Sequence, residues 1–252
     1  NVTGVQTCAL PISYRCGSVP YFDGSVANVI SHAGFKVLNE GSANAEIGTA
    51  AANVTWQIAA RAGNVQVWNQ ATVTKVYDGP GPVVLVPTDL AQPIRFSEKG
   101  LYRGNYKFSN LGNTLRVVNY VSYDDYVRGV VPFEMPREWH LEAYKAQAYA
   151  ARTFAYSKYA GGTRDFDVND DQSDQCYGGI GAETAITDQA AAATQGKVIA
   201  YNGAPIRAYF ASSSGGYTVG DGCWGNNIRA VNGTYECGPS QPYLQPAADP
   251  AD

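Results

Sequence analysis

The feature that most constrains this chain is the stretch from Val130 to Gly162, which couples a pair of prolines to a long alanine-rich run. Pro132 and Pro136 bracket Phe133, Glu134 and Met135. A residue before proline is pushed toward extended geometry, so the tripeptide is expected as a non-helical loop with Glu134 at the start of a helix. From about Arg137 the residues are strong helix formers, with alanine at 143, 146, 148, 150, 151 and 155 and the pair Gly161-Gly162 as a stop. Alanine at this density lets neighbouring backbones approach closely, and the aromatic residues at 144, 149, 154 and 156 point to a helix buried over much of its circumference. Lys145 and Arg152 break that pattern. Seven residues apart, they share one face and are expected to reach toward something polar or anionic.

A chain of 252 residues with 45% hydrophobic content has room for a sizeable core. Its charged fraction is 16% and its net charge is -4, with no basic run, so a nucleic-acid or anionic-membrane role has no electrostatic support. No stretch is long and apolar enough to span a bilayer. Val2 to Ile12 resembles the conceptual translation of a sequencing adapter, so residues 1–13 are expected to be an assembly artefact that takes Cys8 with it. The remaining cysteines are 16, 176, 223 and 237, and none has zinc-site spacing. Cys223 and Cys237 flank a loop-like segment and read as a disulfide, which suits an oxidising compartment; two free thiols are the alternative.

The fold expected is α+β. Residues 14–100 read as a β-rich accessory region, and residues 101–252 as a mixed domain with the long alanine-rich helix and a β-hairpin. Strands are expected at 65–68, 72–77, 83–86, 94–96, 101–108 and 115–121, with Asp78-Gly79 and Gly112-Asn113 as hairpin turns. His32 reads as structural, and Trp56 and Trp68 as core or, alternatively, as sugar platforms. Residues 163–179 form a polar excursion. Its Asp165, Asp167 and Asn169 begin like a calcium loop, but Asp170 stands where the turn glycine belongs and Cys176 where the closing Glu belongs, so no metal is assigned. That leaves a solvated acidic loop or, through Gln175, Tyr177 and the two glycines that follow, part of a sugar cleft. A second alanine-rich helix is expected over 184–194 with Gly196 past its end. Residues 197–201 and 206–211 then pair across Asn202-Gly203 and deliver Ser212, Ser213, Ser214, Gly215 and Gly216, either a ligand-approaching loop or an ordinary flexible turn. A Ser-His hydrolase is disfavoured, because no Gly-x-Ser-x-Gly is present and the only histidine besides His32 is His140.

Four blocks carry a resemblance. They are Tyr126-Val-Arg-Gly-Val-Val-Pro-Phe-Glu-Met-Pro, Glu142-Ala-Tyr-Lys-Ala-Gln-Ala-Tyr-Ala-Ala-Arg-Thr, Ser173-Asp-Gln-Cys-Tyr-Gly-Gly and Tyr209-Phe-Ala-Ser-Ser-Ser-Gly-Gly. In this order they resemble the stage II sporulation protein D family, the SpoIID/LytB domain, from about Leu101 onward. The family pattern usually continues past Asp252, so truncation there is an expectation too. The resemblance implies a peptidoglycan lytic transglycosylase that cleaves between N-acetylmuramic acid and N-acetylglucosamine, with Glu134 as catalyst and no cofactor. It also implies glycan strands as partner and the cell envelope or exterior as location. Lys145, Arg152, Gln175, Tyr177 and Ser212 to Gly216 are the expected substrate contacts. One carboxylate suffices if the muramoyl C6 hydroxyl replaces the nucleophile that an ordinary glycosidase supplies from a second carboxyl group. Phe133, Met135 and Trp139 are expected to raise the pKa of Glu134 by desolvation. Two alternatives stand beside this reading. One is a wall-binding enhancer of a separate cell-wall amidase, the other a secreted hydrolase using Asp167, Asp170, Asp171 or Asp174 as second carboxylate.

Overall fold

A computed structural model of the chain describes residues 7–11, 24–96, 100–159, 163–223, 228–231 and 234–249. It divides into two compact units, 1–198 and 199–252, each treated by itself below. Cys16 lies outside the described residues. Among them, no helix is long and apolar enough to cross a membrane.

The first unit carries two six-stranded sheets. One orders β1 (Thr7–Pro11), β12 (Thr114–Ser122), β11 (Asn105–Leu111), β8 (Val83–Pro87), β3 (Phe35–Asn39) and β4 (Ala45–Ala50). The other orders β10 (Gly100–Tyr102), β9 (Ile94–Phe96), β2 (Val26–Ser31), β5 (Trp56–Arg61), β6 (Asn64–Asn69) and β7 (Thr74–Gly79). Fully buried residues alternate with less buried ones along β2, β8 and the start of β3, and the inward members of both sheets, among them Val29, Phe35, Ile58, Leu85 and Phe108, form one core. The α+β class is the observed one. Strands from before and after position 100 share both sheets, so the β-rich front and the start of the following region are one folded body.

Two turn expectations part here. Gly112 and Asn113 join β11 to β12 with φ of 61° and 68°, the left-handed pair that a tight two-residue hairpin needs. Asp78 and Gly79 instead lie within β7, paired to Gln66 and Val65. Asp78 is fixed there by Lys75, Asn64 and Gln66, whose donors outweigh its turn preference.

Three α-helices follow the sheets: α1 (Tyr123–Glu134), α2 (Leu141–Ser157) and α3 (Ala185–Ala193). Ser122 caps α1 by accepting the Asp125 N–H, and Asp124 and Asp125 sit in the first turn, where carboxylates complement the helix dipole. The buried positions 123, 126, 127, 130 and 131 trace one face at helical spacing. Pro132 lies inside α1, contrary to the expectation of a non-helical tripeptide. A proline in the last turn withdraws only one hydrogen bond, and Pro136 then holds Met135 extended at φ −123°, ψ 139°, which ends the helix. Glu134 is therefore the last residue of α1, not the first of the long helix. That helix begins at Leu141, where the His140 ring accepts the Glu142 N–H. Thr184 and Thr187 form a capping box at α3.

The three helices pack on one another, and Arg152 ties them together. It is 1% exposed, a correction to its expected place against substrate. Its Nε donates to Asp124 on α1 at 2.9 Å, and its terminal nitrogens donate to Thr194 Oγ1 at 3.3 Å, Lys197 O at 3.3 Å and Ala191 O at 3.4 Å around the end of α3. Asp124 also accepts the Gly196 N–H. Removing one partner from a buried ion pair costs about 3 kcal/mol or more, because the remaining groups lose their donor. Arg152→Met is expected to destabilise the protein by about 3 kcal/mol, read from the shift of the urea midpoint. Arg152→Lys should recover only part of the loss, since a single ammonium cannot span acceptors on three sides.

The second unit has only short strands. β13 (Ala200–Tyr201) and β14 (Ala204–Pro205) pair across Asn202 and Gly203, at φ 49° and 80°. They are shorter than the 197–201 and 206–211 strands expected. β15 (Tyr217–Thr218) pairs with β18 (Ala247–Ala248), and β16 (Ile228–Val231) with β17 (Thr234–Cys237). Cys223 and Cys237 are joined in a disulfide with a sequence separation of 14.

Candidate active site

Glu134 ends α1 as a half-buried carboxylate. Its Oε1 accepts the Cys176 N–H at 2.7 Å. Among the described residues it forms no ion pair. Burial pushes its carboxyl above the ordinary value of 4.5, and the Cys176 N–H opposes that rise only in part. The negative end of the α1 dipole acts in the same direction as burial, disfavouring ionisation. A helix-start role, in which the dipole would favour the charged form, is thereby removed.

What brings Cys176 to Glu134 is the excursion over 163–179, and it is not a solvated loop. Val168 and Gln175 are 0% exposed, and Asp170 and Tyr177 are 1% exposed. Around Cys176 the chain alternates, Gln175 and Tyr177 turning inward while the Cys176 N–H faces Glu134. Gln175 Oε1 accepts from the Tyr126 hydroxyl at 3.0 Å. The Tyr177 ring lies 5.2 Å from the Tyr126 ring and 5.6 Å from the Tyr102 ring, and its hydroxyl donates to Asn119 Oδ1 at 3.3 Å. Gln175 and Tyr177 thus hold the loop rather than line a sugar cleft, a correction that follows from their burial. Cys176 is itself disulfide-bonded.

Two glycines allow this fit. A Cβ on Gly129 would stand 2.6 Å from Tyr177 Cε2, and one on Gly178 would stand 1.8 Å from Phe133 Cε2. The Gly178 N–H donates to Gly129 O at 3.1 Å, so the loop grips the last turns of α1 at two points, one of them the Glu134 side chain. The Tyr-Gly-Gly sequence was the one available signal for such close packing.

Three acidic residues of the excursion are occupied elsewhere. Asp174 accepts from Asn169 and pairs with Lys158 at 2.8 Å, Asp165 pairs with Arg116 at 2.8 Å, and Asp171 accepts from Ser173. Among the described residues no three His, Cys, Asp or Glu side chains converge as a metal-binding group. Lys145 is partly exposed and pairs with Glu142 at 2.7 Å. Ser212, Ser213, Ser214, Gly215 and Gly216 belong to the second unit. There Ser214 donates to Asp249 at 3.1 Å, and Gly215 and Gly216 turn at φ 67° and 87°.

A recess of about 500 Å3 that sequence reasoning missed opens at the other end of α1, lined by Asp124, Asp125, Arg128, Asp188 and Gln189 among others. Arg128 pairs with Asp188 at 2.9 Å, Glu183 at 3.4 Å and Asp125 at 3.7 Å, and Arg103 pairs with Glu183. Its charges are matched within the protein, and the helix places it about 15 Å from Glu134 along the axis.

Residues 112–201 match the family described as Stage II sporulation protein, SpoIID. An uncharacterized protein of Brachyspira hyodysenteriae is 37% identical over 119 residues, covering 46% of this chain and 32% of that one. The amidase enhancer of Bacillus subtilis is 43% identical over 103 residues, 40% of this chain and 14% of the enhancer. The stage II sporulation protein D of Bacillus subtilis is 41% identical over 118 residues, 40% of this chain and 34% of that protein. The chain therefore spans about a third or less of the length of these curated relatives. No solved structure matches it. The family match takes in the β11–β12 turn, α1 with Glu134, α2, the gripping loop and α3, and over this region the chain is similar to the SpoIID family and to its relatives named above.

Proposed function

We propose that the protein is a peptidoglycan lytic transglycosylase with Glu134 as its acid and then its base. The observation that carries the reading is a single carboxyl group, half-buried, raised in pKa and held through one oxygen by a backbone N–H. A general acid working near neutral pH needs such an environment. The protonated carboxyl donates to the glycosidic oxygen as the C1–O bond breaks, and the N-acetylglucosamine side leaves as an alcohol. The C6 hydroxyl of N-acetylmuramic acid then bonds to C1, and its proton passes to the Glu134 carboxylate. No water is consumed, and the acid is restored. The ring product is the 1,6-anhydro sugar. Of the four aspartates that could serve as a second carboxylate, Asp171 and Asp174 are tied to neighbouring residues and Asp167 and Asp170 are buried, which weighs against a second catalytic carboxylate there. Lys145 and the exposed Ser212 and Ser213 remain candidates for sugar contact, and the cell envelope is the place where such a substrate occurs.

The relative named amidase enhancer supports a second reading, in which the chain binds wall and assists a separate amidase. The two separate at Glu134. Incubated with glycan strands, the transglycosylase releases anhydromuramoyl products that mass spectrometry detects, and Glu134→Gln lowers that release by about 10²–10⁴-fold. An enhancer keeps its effect on the amidase in the same variant and releases no anhydro product.

The pH dependence follows from the raised pKa. The acid form of Glu134 is needed for bond cleavage, so product release is expected to fall as pH rises through the elevated value. Stability has the same sign. The folded protein holds the Glu134 proton more tightly than the unfolded chain, so ionising it above that value costs stability. Glu134→Gln is therefore expected to melt higher than the wild type at pH 7. The difference should vanish as pH falls below the ordinary 4.5, where both folded and unfolded chains carry the proton.

A further inference from the structure

Five residues after Glu134, the chain turns an indole into water. Trp139 is 51% exposed. A single exposed aromatic residue is ordinary surface, but the backbone beneath this one is unusually constrained. Tyr144, 3% exposed on α2, donates its hydroxyl to Pro136 O at 2.9 Å and accepts the Trp139 N–H at 3.3 Å. Both ends of the connection between α1 and α2 are thus pinned by one buried phenol. Glu138, next to the indole, holds φ at 71°, a left-handed conformation disfavoured for a residue with a Cβ. His140 closes the segment by capping α2. The loop accepts backbone strain and a fixed geometry in order to leave a large apolar side chain in solvent. A pinned, strained loop of this kind holds the indole in one place, as a contact surface requires.

The chemistry of the indole indicates what meets it. Its flat apolar face matches the C–H face of a pyranose ring, while the N–H on its edge meets a hydroxyl or acetamide oxygen. Trp139 can be no more than about 18 Å from Glu134 even along fully extended chain, so a strand of several sugar rings engaging Glu134 passes within its reach. The indole is neutral, as the rings are, and so discriminates by shape rather than charge.

We propose that Trp139 is a stacking platform for an N-acetylated hexosamine ring beside the bond that Glu134 acts on. This rests on the glycan-cleaving reading of Glu134. The platform adds ground-state affinity and sets which ring of the strand lies over the carboxyl.

The test measures binding of peptide-free glycan strands by calorimetry in a Glu134→Gln background, so that nothing is cleaved. Added Trp139→Ala is expected to weaken binding about tenfold or more, as loss of one stacked ring does in other aromatic platforms. Trp139→Phe, which keeps a flat face, should restore most of the affinity. Trp139→Leu, apolar but not flat, should not, and this pair decides the matter even if the alanine variant folds poorly. Equal binding by Glu134→Gln with and without Trp139→Leu overturns the platform and leaves the Glu134 reading intact. No binding by Glu134→Gln itself overturns the glycan reading and the platform with it.

Discussion

The candidate site depends on one grip, that of the segment 175–179 on the C-terminal turns of α1. Two backbone N–H groups reach across, from Cys176 to the Glu134 carboxylate and from Gly178 to Gly129 O. Buried donors and acceptors demand partners, so the loop and the helix end satisfy each other. The Tyr177 ring fills the space that Gly129 leaves open and packs, tilted, between tyrosines from α1 and β10. Glu134 is thereby taken partly out of water yet held in place, the combination that raises a carboxyl pKa without burying the group beyond use. The β-sandwich bears on this indirectly. Through Asn119 on β12, which accepts from Tyr177 and donates to Arg103 O and Asn105 O, the sheet anchors the loop's aromatic post.

Much of the sandwich was legible from residues 65 to 122, because period-two alternation and Gly-Asn punctuation are local signals. Val26–Ser31, Phe35–Asn39, Ala45–Ala50 and Trp56–Arg61 were not foreseen. They are short and interrupted by Ala, Asn and Gly, and their pairing with distant strands supplies what their own pattern lacks. The second alanine-rich helix was readable because its Thr cap and small-residue run are both local.

The local misreading of Glu134 has a specific cause. In sequence a proline reads as a breaker wherever it occurs, whereas its cost depends on where in the helix it falls, and Pro132 sits where few bonds remain to lose. Arg152 was misread for a different reason. A cation on a small-residue helix looks the same in sequence whether it faces ligand or an internal acid, and its partner Asp124 lies 28 positions away. Gln175 and Tyr177 were grouped with substrate contacts on residue type, but the alternation that turns them inward depends on the tyrosine and glycine they meet. The resemblance singled out Glu134 among the acids, and the structure adds the environment that gives its carboxyl a raised pKa.

The central claim is that the grip of residues 175–179 sets the protonation of Glu134, and a direct titration addresses it. The Glu134 side-chain carboxyl carbon, followed by 13C NMR from acid to neutral pH, should titrate above the ordinary 4.5. In Gly178→Ala, where the new methyl collides with Phe133, the midpoint should move back toward that value as water reaches the loosened carboxyl. A wild-type midpoint at or below 4.5, or one that Gly178→Ala leaves unmoved, would contradict the account.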